Sequence, residues 1–420
     1  MTTEAFQSQS TFLREMISRG HVYQITDNKG LDDYAEYGVA CGYIGFDCTA
    51  KSLHVGSLVQ IMNLRRLQQA GGKPIVLMGG GTTKIGDPTD KEKSRPILTV
   101  EEIASNMAGI KKNFEPFLTF GSGPSDAIMI DNAEWLDNIK WIEFLRDYGK
   151  HFTINKMIAQ ETVARRLRNE EPYTFLEFNY MLLQAYDFLE LARTYDCRIQ
   201  MGGSDQWGNI VNGIDLTRRI IDKQVFGVTT PLITTASGGK MGKTAEGAVW
   251  LNPEMRSPYD YWQFWRNTED ADVARFMRLF TDLPESEIGE HAKAQGAAIN
   301  DAKKRLADVA TAMLHGEEES KKAAAAAEAV FKGGSAEGMP TFEVERARLA
   351  AGYAITDALV AAGLVDSKGD ARRQIAGNAV KLNGEAVADD KLVVTEAALD
   401  HEGTARLSVG KKRHARLKAV

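Results

Sequence analysis

The stretch from residue 41 to residue 83 constrains the fold more than any other part of the chain. "CGYIGFD" (41–47) is a short, mostly apolar run, the pattern of a strand buried on both faces. "LHVGSLVQIMNLRRLQQAGG" (53–72) places Leu58, Ile61, Met62 and Leu67 at helical spacing and stops at Gly71-Gly72. "KPIVLMGGGTT" (73–83) is a second buried strand running into glycines. Strand, helix and strand within about 40 residues make a βαβ unit, because parallel strands need a crossover of that kind. "TVEEIASNMAGIKKNF" (99–114) opens a further helix with a capping box, Thr99 with Glu102. "DAIMIDN" (126–132) and "CRIQMGG" (197–203) read as strands, and "YMLLQAYDFLELART" (180–194) as a helix. Residues 1–235 are therefore expected to form an α/β domain on a parallel sheet.

The character changes after a glycine-rich loop at 236–256. "SPYDYWQFWRNTEDADVARFMRLF" and "NDAKKRLADVATAMLHGEEESKKAAAAAEAVF" predict an all-helical region over 257–331. "KGGSAEGMP" lies in a linker, 332–345. Residues 346–420 read as two helices, a strand pair turned at Asn383-Gly384 and a basic end, "GKKRHARLKAV". A chain of 420 residues fits such a division into several domains. No apolar run is long enough to span a bilayer, and "MTTEAFQSQSTFLREMISRG" has no apolar signal core. Cys41, Cys48 and Cys197 form no CxxC pair, so neither a disulfide framework nor a zinc site is expected, and a reducing cytoplasm is the simplest home. The net charge of −6 gives no global sign of nucleic acid, but the C-terminal end is locally basic.

Four loops carry chemistry. In "YIGFDCTAKSLHVGS" (43–57) a strand ends and His54 and Gly56 begin a helix, the place where an open α/β sheet binds nucleotides. "GDPTDKEKSR" (86–95) brings Asp87, Lys91, Lys93 and Arg95 to the same edge. "MGGSDQWGN" (201–209) repeats the strand-to-glycine pattern with Ser204, Asp205 and Gln206. "ASGGKMGKTAEG" (236–247) is close to a phosphate-binding P-loop but has Ser237 where that motif needs its first glycine. On the otherwise apolar helix, Tyr180, Gln184 and Asp187 fall at i, i+4 and i+7, a polar line along one face. The residues alone leave the plainer readings open: a capping histidine, a solvated charged loop, a hydrogen-bonded core network.

Taken in order, "YIGFDCTAKSLHVGSL", "GDPTDKEKSR", "NYMLLQAYDFL", "GGSDQWGNI" and "GGKMGKTAEGAVWL" resemble the bacterial-type tyrosyl-tRNA synthetase family, class I aminoacyl-tRNA synthetases. "HVGS" is similar to the HIGH signature of that class and "KMGKT" to its KMSKS loop. The resemblance covers essentially the whole chain. It implies a Rossmann-like parallel-sheet catalytic domain, an all-helical domain over 257–331 reading the anticodon arm, and a small α+β, S-four-like RNA-binding domain over 346–420. It further implies ATP with Mg²⁺ held by the phosphates, L-tyrosine, tRNA(Tyr), a homodimer, and no resident metal.

The same resemblance assigns roles. Tyr43 and Asp187 meet the substrate phenol; Asp87, Asn132, Tyr180 and Gln184 surround its ammonium group; Gln206 lies by its carboxylate. Thr49, His54, Lys240, Lys243 and Thr244 act on the phosphates, the lysines from a mobile loop that closes over ATP. Gly45, Asp47, Gly56, Ser57, Gly203, Asp205, Lys91 and Arg95 complete the ATP site. Lys368, Arg372, Arg373, Lys381, Lys411, Lys412 and Arg413 grip tRNA. Three positions depart from the pattern: Ser57 replaces the second histidine of HIGH, Ile44 replaces a cysteine found in some relatives, and Gly242 replaces the serine of KMSKS. Competing readings are a tryptophan enzyme or small-molecule nucleotidyltransferase on this fold, and a degenerate synthetase kept as an RNA-binding module.

Overall fold

The computed structural model describes residues 6–89, 95–239, 241–244, 247–296, 298–331, 339–400, 403–410 and 413–420. Two compact units emerge, residues 1–255 with 269–295, and residues 256–268 with 296–420.

The first unit is built on a six-stranded sheet. In chain order its strands are β1 (Gln24–Ile25), β2 (Cys41–Asp47), β3 (Lys73–Gly79), β4 (Ile128–Asp131), β5 (Ile199–Gly203) and β6 (Phe226–Thr230). Their spatial order is β1-β6-β5-β2-β3-β4, and all neighbouring pairs are parallel except β1 with β6. From β2 the chain first adds β3 and β4 on one side, then returns to add β5 and β6 on the other. The crevice between the carboxyl ends of β2 and β5 is thus a topological switch point, where open α/β sheets take ligands. Strands β2 and β3 are almost wholly buried, as their unbroken apolar runs require, with Tyr43, Ile75 and Leu77 in the core. The crossover helix Val55–Gln69 and the capping box at Thr99 and Glu102 form as the sequence predicts.

Strand β6 has no counterpart in the sequence pattern. Its "FGVTT" has little apolar signal, and Gly227 weakens it, yet a Cβ there would meet Ile210 Cγ2 at 2.4 Å. The glycine lets helix Trp207–Ile221 lie flat on the strand. The helices after 256 also divide differently from the single region expected over 257–331. Val273–Phe280 and Glu285–His291 belong to the first unit, because the Asp282 carboxylate accepts hydrogen bonds from both Arg65 and Arg66 of helix Val55–Gln69. Arg66 is 1 % exposed, so this acid is what makes its burial tolerable.

In the second unit, Pro258–Arg266, Ala298–His315 and Glu317–Phe331 pack together. Trp262 Nε1 donates to Asp308 Oδ1 at 2.7 Å, and Ser320 Oγ donates to the Asp308 carbonyl at 2.7 Å. Residues 341–420 form a five-stranded sheet with helices Ile355–Ala361 and Lys368–Ala376 over a core that includes Leu359, Ile375, Leu407 and Leu417. The hairpin between Val380–Leu382 and Glu385–Ala386 turns at Asn383 and Gly384, with φ of 51° and 91°. Positive φ at both central residues is the mirror-image turn that suits strand twist. Among the described residues no helix is long and apolar enough to cross a membrane.

Candidate functional site

A cleft of about 660 Å³ opens at the switch point. The strand ends supply Tyr43, Gly45, Asp47 and Gly203; the loops that follow supply Thr49, His54, Gly56, Ser57, Asp87, Arg95, Asp205 and Gln206; Asn132 follows β4; and helix Phe175–Tyr195 supplies Tyr180, Gln184 and Asp187. Residues from distant loops and one helix face thus meet in one place. Lys91, Lys240, Lys411 and Lys412 lie outside the described residues, as do the side chains of Lys243 and Thr244.

The deep end of the cleft is a polar pair in an apolar wall. Tyr43 is 1 % exposed, edge-on to Phe188, and its hydroxyl has no hydrogen-bond partner among the described residues. Asp187 accepts from Asn132 Nδ2 at 3.0 Å and from Trp135 Nε1 at 2.8 Å. Burial pushes its carboxyl up to about 7 despite those two donors, and the Asp47 charge adds to the rise. An orphaned buried hydroxyl and a partly protonated buried acid are costly arrangements unless a ligand supplies the missing partner. Gln200, the parallel neighbour of Tyr43 on β5, also lines the cleft with a carbonyl oxygen that has no partner among the described residues.

Nearer the mouth, side chains link into a chain. Gln184 Nε2 donates to Gln206 Oε1 at 3.3 Å, and Gln206 Nε2 donates to Asp87 Oδ2 at 2.9 Å. Tyr180 Oη donates to Asp47 Oδ2 at 3.3 Å, and Thr82 Oγ1 to Asp47 Oδ1 at 2.8 Å. Burial first, then the neighbouring Asp87 charge, raises the Asp47 carboxyl to about 6. Two crowded carboxylates, with Arg95 beside them, make a receptor for a small cation.

The third region is a crossing of two glycine turns. The chain after the lysine loop lies against the His54 loop: Val55 N donates to the Val249 carbonyl at 2.9 Å and Leu251 N to the Leu53 carbonyl at 2.9 Å. Met241 N donates to the Ile233 carbonyl at 2.9 Å, and Val249 N to the Gly242 carbonyl at 3.0 Å. Gly242 has φ +82°, and a Cβ on it would come within 2.6 Å of Gly56 N. That turn therefore seats backbone on backbone at the start of helix Val55–Gln69.

Sequence reasoning missed Trp135, Thr82 and Gln200. Trp135 follows Asn132 by one helical turn, and that spacing was the available signal; Thr82 and Gln200 gave none. The family resemblance gives Asp47 to ATP alone, whereas the structure pairs it with Tyr180. Of the expected RNA-contacting cations, Lys368, Arg372 and Arg373 are exposed but each has an acidic partner, Asp357, Asp390 and Asp370. Lys381 is exposed on the hairpin, and Arg413 Nη1 donates to the Leu364 carbonyl at 2.7 Å.

Comparison with known proteins agrees with this geometry. Residues 40–332 match the model for tRNA synthetases class I (W and Y), and residues 331–417 match the tyrosine–tRNA ligase SYY-like C-terminal domain. The chain is 59 % identical to a tyrosine–tRNA ligase of Caulobacter sp. (strain K31) over 98 % of both chains. It is 52 % identical to one of Methylocella silvestris over the full length of both. Among solved structures, a C-terminally truncated mitochondrial tyrosyl-tRNA synthetase of Aspergillus nidulans superposes with a TM-score of 0.68 at 28 % identity, over 75 % of this chain and 93 % of that one. The chain belongs to the class I tRNA synthetases (W and Y), in the tyrosine–tRNA ligase branch.

Proposed function

We propose that the chain ligates L-tyrosine to tRNA(Tyr) in two steps. The tyrosine carboxylate attacks the α-phosphorus of MgATP, the bond to the β-phosphate breaks, and pyrophosphate leaves. A hydroxyl of the tRNA 3′-terminal ribose then attacks the carbonyl carbon of the adenylate, loses its proton, and AMP leaves. A carboxylate is already a nucleophile, so positioning and charge stabilisation carry the reaction. The observation that bears most weight is the Tyr43 hydroxyl and Asp187 carboxylate at the closed end of the cleft, a donor–acceptor pair shaped for a phenol. In this reading Asp47 and Asp87 receive the ammonium, and His54, Thr49, Lys240 and Lys243 are assigned to the phosphates; Mg²⁺ enters with ATP as part of the substrate. Tyrosine-dependent ATP–pyrophosphate exchange tests the reading, with phenylalanine and tryptophan alongside. Exchange with tryptophan in place of tyrosine, or with none of the three, would overturn it.

Protonation offers a second test. With Asp187 near 7 and Asp47 near 6, the empty site holds about one proton between them at pH 6.5. A phenol hydroxyl donating to Asp187, and an ammonium beside Asp47, favour the ionised forms and lower both values. Tyrosine binding should therefore release about one proton at pH 6.5 and almost none at pH 8.5. Calorimetry in buffers of different ionisation enthalpy reads this directly. Proton uptake at pH 6.5, or release that grows with pH, would contradict it.

Gly242→Ala should push the turn off Gly56 and slow exchange about tenfold, since sub-ångström displacement of reacting groups is costly. Gly238→Ala is the control. Gly238 also has positive φ, +88°, but none of the described residues lies within 4 Å of its would-be Cβ. Equal losses in the two variants would mean that backbone strain, not the approach to Gly56, is responsible.

The exposed apolar side chains Trp141, Ile142, Phe175 and Leu176 support a homodimer, which sedimentation equilibrium would reveal. Basic residues of the C-terminal region would hold tRNA phosphates, so tRNA affinity should fall steeply with salt; a flat salt titration would remove that role. Buried free cysteines fit a cytoplasmic location, which fractionation of cells would check.

A further inference from the structure

The lysine loop is held at its beginning by residues that no motif marks. Ala236 N donates to Asp272 Oδ2 at 2.7 Å, and Ser237 Oγ donates to Glu269 Oε1 at 2.6 Å. Arg275 Nη2 donates to Asp272 Oδ1 at 2.7 Å and to the Thr234 carbonyl. Asp272 is 3 % exposed. Thr235 N donates to the Gly239 carbonyl at 2.8 Å, and Gly239 N to Thr235 Oγ1 at 3.1 Å, which closes the root into a compact turn. The far end of the loop is fixed separately, through Val249 and Leu251 on the His54 loop. One end thus rests on the sheet's own glycine turn and the other on the buried Asp272 carboxylate with its arginine, joined by the exposed Glu269.

We propose that Asp272 and Arg275 are positioning residues for the lysine loop, holding its root at residues 234–236 so that the loop is in place when pyrophosphate leaves. The inference rests on the proposed tyrosine activation. An ionised acceptor on a loop amide is a strong, directional tether. A loop whose lysine acts only as charge develops at the phosphates has to be placed before the reaction, not by it. Losing the tether should slow the chemical step and leave ground-state binding alone.

The test is steady-state pyrophosphate exchange on the full chain, with Asp272→Ala and Arg275→Ala. Asp272→Ala should lower kcat about 100-fold, with KM for tyrosine and ATP within about twofold of the parent. Arg275→Ala should fall between the two. In a Lys243→Ala background, Asp272→Ala should cost less than about twofold more, because both changes remove the same contribution. A fully additive loss, or a loss carried by KM, would overturn the proposal. Hydrogen exchange supplies an arm that needs no activity: the Ala236 amide should exchange faster in Asp272→Ala while the amides of β2 and β5 keep their parental rates. An unchanged Ala236 amide would overturn the tether, and faster exchange throughout the sheet would assign Asp272 a general structural role instead. Absence of exchange activity in the parent protein would count against the tyrosine reading, leaving the amide rates to decide the tether.

Discussion

Asp187→Ala is expected to lower kcat/KM for tyrosine activation about 10³-fold, roughly 4 kcal/mol, and to leave the poor activation of phenylalanine nearly unchanged. The substitution removes the proposed acceptor for the phenol and strands the Asn132 and Trp135 donors beside it. Tyrosine would then enter a pocket in which its hydroxyl has lost its ionised acceptor and meets donors already made for a carboxylate. Phenylalanine never had that bond to lose. Discrimination between the two, of about 10⁵ in enzymes of this class and carried over from them, should shrink by the same factor. Pyrophosphate exchange with both amino acids measures it. A loss shared equally by both substrates would mean that Asp187 shapes the pocket without reading the phenol.

The second large effect is on stability. Glu177→Ala is expected to destabilise the first unit by about 3–5 kcal/mol, the usual cost of leaving a buried charge unpaired. Arg166 and Glu177 are 1 % and 3 % exposed and are paired at 2.7 Å. The arginine also donates to the Pro172 carbonyl and stacks over Tyr173. Glu177 in addition closes the capping box of helix Phe175–Tyr195 by accepting from Thr174 N at 2.9 Å. Replacing both members of the pair with Met and Leu should cost far less than the single change, because no charge is then stranded. Thermal unfolding of the three proteins decides it. If the double variant is as unstable as Glu177→Ala, the cap and not the ion pair is the source. Since Tyr180, Gln184 and Asp187 ride on the same helix, Glu177→Ala should also raise KM for tyrosine below the melting range.

The sheet was legible wherever burial on both faces gave an unbroken apolar run, as in β2 and β3. It was not legible in β6, where threonines and Gly227 hide a strand whose burial depends on Ile210 from a different element. The cleft was readable because a polar side chain in an apolar helix is conspicuous, and Tyr180, Gln184 and Asp187 were conspicuous together. Trp135 was not, since an indole N–H looks the same in sequence whether it holds a carboxylate or points to water. Nor could spacing reveal that residues 269–295 turn back to the first unit. That depends on Asp282 meeting Arg65 and Arg66, a pairing more than 200 residues apart in the chain.

The return of residues 269–295 has a practical corollary for anyone wishing to cut this protein down. The polypeptide passes between the two units after residues 255, 268 and 295, so they are stitched and not merely strung. A fragment ending at 255 would keep every described residue that lines the cleft. It would nonetheless strip the acid from Arg66 and the tether from Ala236. The smallest piece fit to be made alone has to carry the 256–268 excursion with it, and therefore also Ala298–His315 and Glu317–Phe331, on which Pro258–Arg266 packs.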